Sequence, residues 1–148
     1  MKIYLGADHA GFHLKEKIKK FLDKQGIEYE DKGPHKFNPL DDYPDFVIPA
    51  AKAVAKTKSK GIILGGSGQG EAIAANKVKG IRSVVYYGGP TKLIKLSREH
   101  NASNILSLGA RFLKEKEALK VVKLWLETPF SKDPRHKRRI AKIARFER

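Results

Sequence analysis

Two rhythms alternate along this chain. Five short, mostly apolar segments read as strands: Ile3 to Ala7, Ile27 to Asp31, Gly61 to Leu64, Ser83 to Tyr86 and Ile105 to Leu108. Between and after them run amphipathic stretches with helical spacing: Phe12 to Gln25, Pro44 to Lys56, Glu71 to Val78, Thr91 to His100, Glu115 to Glu127 and Pro134 to Phe146. In the first of these, Phe12, Ile18, Phe21 and Leu22 fall near one face with lysines opposite, and Gly26 follows as a helix stop. Regular β-α alternation predicts an α/β fold: a three-layer α/β/α Rossmann-like domain with a five-stranded parallel sheet. The segment from Gly33 to Asp42 is rich in turn formers and reads as a loop. No repeat or linker interrupts residues 1–148, which predicts a single domain. The last helix lies beyond the final β-α unit, after a break at Thr128-Pro129-Phe130-Ser131, and is expected to pack across a subunit boundary.

Composition narrows the picture. At 148 residues with 41% hydrophobic content, the chain can bury a real core. No apolar run reaches membrane-spanning length and no leader pattern precedes the first strand, so the cytoplasm is the expectation. There are no cysteines, which excludes disulfides, thiolate metal sites and thiol nucleophiles. The formal charge of +15 admits three readings. Lysines spread over helices favour a solvated surface first and steering of anionic substrates second. Nucleic acid comes third, because no zinc-finger spacing or aromatic RNA-binding pattern accompanies the charge. Only Arg135-His136-Lys137-Arg138-Arg139 is a concentrated basic run.

The segment Gly65-Gly66-Ser67-Gly68-Gln69-Gly70-Glu71 follows the third strand and opens a helix. Glycines there bare a row of backbone N–H groups that can hold a phosphate or a developing oxyanion. Glu71 sets a potential base beside those donors, a combination suited to proton transfer at carbon. Ligands bind at the carboxyl ends of strands in open parallel sheets. Asp8-His9-Ala10-Gly11 after strand one and Gly109-Ala110-Arg111 after strand five share that edge. Ser97-Arg98-Glu99-His100-Asn101 precedes strand five and needs a neighbouring subunit or a chain reversal to join them. Taken singly, each has a plainer reading: Asp8 as a helix cap, Glu71 as a first-turn acid, His100 as a helix stop, Arg135 and Arg139 as a solvated face. The glycines lack the G-x-G-x-x-G spacing of dinucleotide sites and the Gly-Lys-Ser/Thr of a P-loop, and no His, Asp or Glu spacing suggests a metal. His13 and His35 fit no pattern.

Together the motifs carry more. Gly6 to Phe12, Asp42-Tyr43-Pro44-Asp45, Gly66 to Gly70, Ile73 to Lys77, Gly80-Ile81-Arg82, Ser97 to Asn101 and Arg135 to Arg139 stand in one order across nearly the whole chain. In that set the sequence resembles the RpiB/LacAB family of sugar-phosphate isomerases. The resemblance implies interconversion of ribose 5-phosphate and ribulose 5-phosphate through a cis-enediol, a step of the pentose phosphate pathway. It implies no metal or organic cofactor, and a homodimer or tetramer whose active sites are shared between subunits. Many members carry a cysteine base just before the glycine loop, where this chain has Gly65. A second branch uses a glutamate after the loop and a serine within it, matching Glu71 and Ser67.

By that resemblance Glu71 is the C2/C1 proton shuttle, and Ser67 with the Gly66, Gly68, Gln69 and Gly70 backbone steadies the enediolate. His100 donates a proton to the ring oxygen in ring opening, and Asp8 orients the hydroxyls or the ring-opening machinery. His9 and Asn101 contact substrate, and Arg111, Arg135 and Arg139 hold the phosphate, the last two from the partner subunit. Tyr86-Tyr87-Gly88-Gly89-Pro90 departs from the family pattern and could tune sugar length. The alternatives are a six-carbon isomerase acting on allose 6-phosphate or galactose 6-phosphate, and a non-catalytic sugar-phosphate or nucleic-acid binder on the same fold.

Overall fold

The structure, a computed structural model, describes residues 1–147. Strands β1 (Ile3–Ala7), β2 (Tyr29–Asp31), β3 (Lys60–Gly65), β4 (Ser83–Tyr86) and β5 (Ile105–Gly109) form one parallel sheet in the order β2-β1-β3-β5-β4. Helices α1 (Phe12–Lys24), α2 (Pro44–Thr57), α3 (Gln69–Asn76), α4 (Lys92–Asn101) and α5 (Glu115–Glu127) connect and cover it, and α6 (Pro134–Phe146) closes the chain.

The period-two alternation of the strands sorts side chains into two cores. Ile3, Leu5, Ile62, Leu64, Leu106 and Leu108 pack with Ile18 and Leu22 of α1, Ile94 of α4, and Val121 and Trp125 of α5. Tyr4, Ile63 and Ile105 point the other way, onto Val47, Ala50 and Val54 of α2 and Ala75 of α3. Helices thus cover both faces, as the β-α rhythm predicts. Each fully buried aliphatic side chain contributes about 1.5–3 kcal/mol, so these two layers dominate what holds the sheet in place.

Three details depart from the sequence reading. The second strand begins at Tyr29 rather than Ile27, because Ile27 N–H turns back to Leu22 O (2.9 Å) to close the α1 terminus. Lys15 is not on the solvated face of α1. It is fully buried, with its ammonium on Asp31 Oδ2 (2.6 Å) and Pro34 O (2.8 Å), where it anchors the start of the 33–42 loop. The third strand runs through Gly65, and α3 starts at Gln69 instead of Glu71. The glycine loop is therefore only Gly66 to Gly68, and Glu71 stands inside the first helical turn. Gly68 caps that turn at φ +79°, a conformation that favours glycine, with its carbonyl held by Ser107 Oγ (2.7 Å).

Among the described residues no helix is long and apolar enough to cross a membrane. α6 projects from the body. Only His136 of that helix is buried, while Ile143 and Phe146 are 49% and 88% exposed.

Candidate active site

The carboxyl ends of β1, β3 and β5 bring three of the sequence clusters together. β1 and β3 are neighbours, and Asp8 N–H donates to Leu64 O at 3.3 Å. Asp8 is buried, and its Oδ1 accepts from the N–H groups of Ala10 (2.9 Å) and Gly11 (3.2 Å), which fixes the turn into α1. Arg111 follows β5, and its N–H donates to Gly66 O at 3.1 Å. A Cβ on Gly66 would come within 3.1 Å of the Arg111 guanidinium, so the glycine lets that cation lie against the loop.

Glu71 is the decisive side chain of this edge. It is only 4% exposed. Its carboxyl fills the space above Gly65, where a Cβ would fall on the carboxyl group itself. Residue 65 must therefore be glycine for Glu71 to sit as it does. Burial pushes the Glu71 carboxyl above its ordinary value. A hydrogen bond from its own N–H opposes that shift, and the negative charge of Asp8 adds to it. Such a carboxyl is poised to take a proton and return it.

Around it lie donors. The N–H groups of Ser67, Gly68 and Gly70 take no protein partner among the described residues, while Gln69 N–H donates to Ser67 Oγ (3.3 Å). Convergent N–H groups beside a carboxyl can steady an enediolate oxygen, at up to about 3 kcal/mol per donor.

Two neighbours were not singled out from sequence. Asp41, in the 33–42 loop, accepts from His9 N–H (2.8 Å), and His9 Nδ1 lies 2.8 Å from the same Oδ1. That pair puts the ring proton on Nδ1 and leaves Nε2 as an acceptor. Asp41 Oδ2 is buried without a hydrogen-bond partner among the described residues. Tyr43 precedes α2 with its hydroxyl over Gly70, where a Cβ would approach within 2.6 Å. Tyr43 is part of the Asp42-Tyr43-Pro44-Asp45 motif and Asp41 directly precedes it, but neither was given a role from sequence.

His100 and Asn101 are elsewhere. They end α4 at the opposite edge of the sheet, where Asn101 O accepts from Arg82 Nε (2.9 Å) just before β4. The His100 ring lies 4.2 Å from that of His136 in α6, and His136 Nδ1 pairs with Ser131 Oγ (2.9 Å). Burial, then the charge of His100, hold His136 below its ordinary value. Arg135 and Arg139, on the same helix as His136, are exposed. One chain thus carries two separate clusters, Glu71 with the N–H donors at one edge and the histidines with basic residues at the other. Among the described residues no group of three His, Asp or Glu is arranged to hold a metal ion.

Residues 3–143 match the ribose/galactose isomerase family. The chain belongs to that family. Family relatives include ribose-5-phosphate isomerase B of Mycolicibacterium paratuberculosis, 46% identical over all of this chain and 92% of the relative. Ribose-5-phosphate isomerase B of Clostridium thermocellum superposes with a TM-score of 0.93 at 44% identity, covering 99% of this chain and 97% of that one. The Mycoplasma genitalium enzyme, solved with bound ribulose 5-phosphate, superposes with a TM-score of 0.93 at 38% identity, covering 99% and 95%. Within this ribose/galactose isomerase frame, Glu71 occupies the space that a side chain at position 65 would enter.

Proposed function

We infer that the chain is an aldose–ketose isomerase that interconverts ribose 5-phosphate and ribulose 5-phosphate through a cis-enediol. The observation that carries this reading is the buried Glu71 carboxyl, with its raised pKa, set beside free backbone N–H groups at the carboxyl edge of the sheet. Relatives across the full length named ribose-5-phosphate isomerase B, one of them with ribulose 5-phosphate bound, select the pentose phosphate as substrate.

In this reading Glu71 takes the proton from C2 of the open-chain aldose. The electron pair moves through the C1–C2 bond onto O1, giving an enediolate held by the N–H groups of the glycine loop and by Ser67. The same carboxylic acid returns its proton to C1 while the hydroxyl proton passes from O2 to O1. C1 gains a hydrogen, C2 becomes the carbonyl, and no electron leaves the substrate. Asp8 and the Asp41-braced His9 orient the sugar hydroxyls. Arg111 meets the phosphate from this chain.

The second cluster completes the site from a partner. A homodimer that sets the α4–α6 edge of one subunit against the glycine-loop edge of the other brings in His100 for ring opening. It also brings Asn101 as a substrate contact, and Arg135 and Arg139 for the phosphate. This assembly, with a place in the pentose phosphate pathway of the cytoplasm, belongs to the proposal.

Purified protein is expected to isomerise ribose 5-phosphate without added metal and faster than allose 6-phosphate or galactose 6-phosphate. Glu71→Gln should lower kcat by at least about a hundredfold while keeping sugar-phosphate binding. Turnover of a hexose phosphate alone would change the substrate. Near-normal turnover by Glu71→Gln would remove the base.

A further inference from the structure

A cavity of about 540 Å³ lies away from the glycine loop. It opens at the amino edge of the sheet, below the C-terminal end of α2 and beside the start of β3. Its volume suits a small ligand. Lys58, Lys60, Arg82 and Arg98 line it together with the polar side chains of Ser59 and Asn104.

Four cations line this cavity. None of them lies within 4.0 Å of a carboxylate among the described residues. Glu147 is near enough to favour the charge of Arg82, but its Oε2 accepts from Gly80 N–H (3.0 Å). Two of the cations are fixed by the fold. Arg98 is buried and donates to Thr128 O (3.0 Å) and to Ser103 O. Arg82 donates to Asn101 O (2.9 Å) and Ala102 O (2.9 Å). These bonds hold the ends of α4 and α5 and leave the rest of each guanidinium fork uncommitted. Lys60 makes one long contact, to Leu126 O at 3.4 Å, and its ammonium sits 5.5 Å from the centre of the Trp125 ring. Burial first, then repulsion from Arg98, drives Lys60 down to about 8, and Arg82 in turn repels Arg98.

Partly buried like charges without a counter-charge cost stability, and an anion among them relieves that cost. Carbonyl dipoles account for the arginines as helix caps. They do not account for Lys60 or for the cavity beside it. We propose that this cavity is a second anion site, built for a phosphoryl ligand carrying several negative charges, of the pyrophosphate or oligophosphate type. Two uncommitted guanidinium edges and two ammonium groups suit a ligand with more than one anionic group. Lys58 and Lys60, the cations tested below, have no part in the isomerase reading, whereas Arg82 holds Asn101 O at the edge the proposed dimer uses.

Trp125 supplies the readout. It is the sole tryptophan of the chain, is fully buried, and donates from its indole N–H to Ser103 Oγ (2.9 Å), on the residue whose carbonyl holds Arg98. Titration of the full-length protein with pyrophosphate should move the Trp125 indole N–H resonance in a saturable way. Lys60→Met keeps the stem over Trp125 and should weaken that titration by at least about tenfold, with ribose 5-phosphate turnover in the absence of pyrophosphate unchanged. Lys58 has φ 53°, so Lys58→Asn, which tolerates that conformation, should weaken it in the same direction even if Lys60→Met fails to fold. No saturable movement of the indole resonance, or wild-type affinity in the folded variants, would overturn the site.

Discussion

Burial of Glu71 is a cost to the fold. Its carboxyl has a higher pKa folded than unfolded, so folding takes up a proton. That proton favours the folded state below the unfolded value near 4.5, and the benefit is lost as pH rises through the raised folded value. Above that window the ionised, buried carboxylate works against stability. Glu71→Gln has no charge to bury and should unfold a few degrees higher than wild type at pH 8, roughly 2–4 °C, with the gap closing toward pH 4. Calorimetry at the two pH values decides it, and a lower melting temperature at pH 8 would mean that the carboxylate is satisfied by the fold. The same residue pair makes a sharper test. Because Gly65 leaves the space that Glu71 fills, Glu71→Ala should be inactive and Gly65→Ala should displace the carboxyl and lose most activity. Gly65→Cys added to Glu71→Ala puts a thiol into the vacated space and should recover at least about tenfold over Glu71→Ala alone. No recovery in a folded double variant would show that the two positions do not substitute for one another.

At the scale of elements, the sequence was legible wherever a period governed the outcome. All five strands and six helices occur in the order the alternation predicts, with ends shifted by a residue or two, because burial on both faces of a parallel sheet leaves little freedom. It was less legible where one hydrogen bond or one ion pair decided. Ile27 left β2 to close α1, and Lys15 went inward because Asp31 and Pro34 O receive it. Asp41 was invisible for a related reason: nothing in a turn-rich loop says which acid will meet a histidine from 32 positions earlier. α6 is a case where local chemistry does decide. Its N-cap Asp133 accepts from Arg135 N–H (2.8 Å), and that bond holds the Asp133 carboxyl below its usual value. Asp133→Ala removes the cap and should loosen the first turn of α6. If α6 presents Arg135 and Arg139 to the substrate phosphate, this distant change should raise KM for ribose 5-phosphate about two- to fivefold with little change in kcat. An unchanged KM would detach α6 from the substrate.

The whole molecule poses the question that one chain leaves geometrically open. Glu71 and the glycine loop lie at the carboxyl edge of the sheet, while His100 ends α4 at the amino edge. Both were read from the sequence as parts of one site, and the parallel topology separates them, since a helix that returns to the start of a strand must end at the far edge. The proposed two-fold dimer would resolve this, because the edge that one subunit lacks is the edge its partner would offer. The arrangement has an arithmetic consequence. Glu71→Gln and His100→Ala should each be inactive alone. In a mixed dimer of the two, one site inherits both defects and the other inherits neither. Random reassociation makes about half of the dimers mixed, each with one intact site, so an equimolar mixture should regain about a quarter of wild-type kcat per chain. Sites built within single chains would give no recovery on mixing, because every site would then contain one of the two defects. Mixing after reversible dissociation, followed by an assay of ribose 5-phosphate turnover, separates these outcomes. The size of the recovery also reports on placement: a value near a quarter requires that the base and the ring-opening acid come from different subunits in every active site.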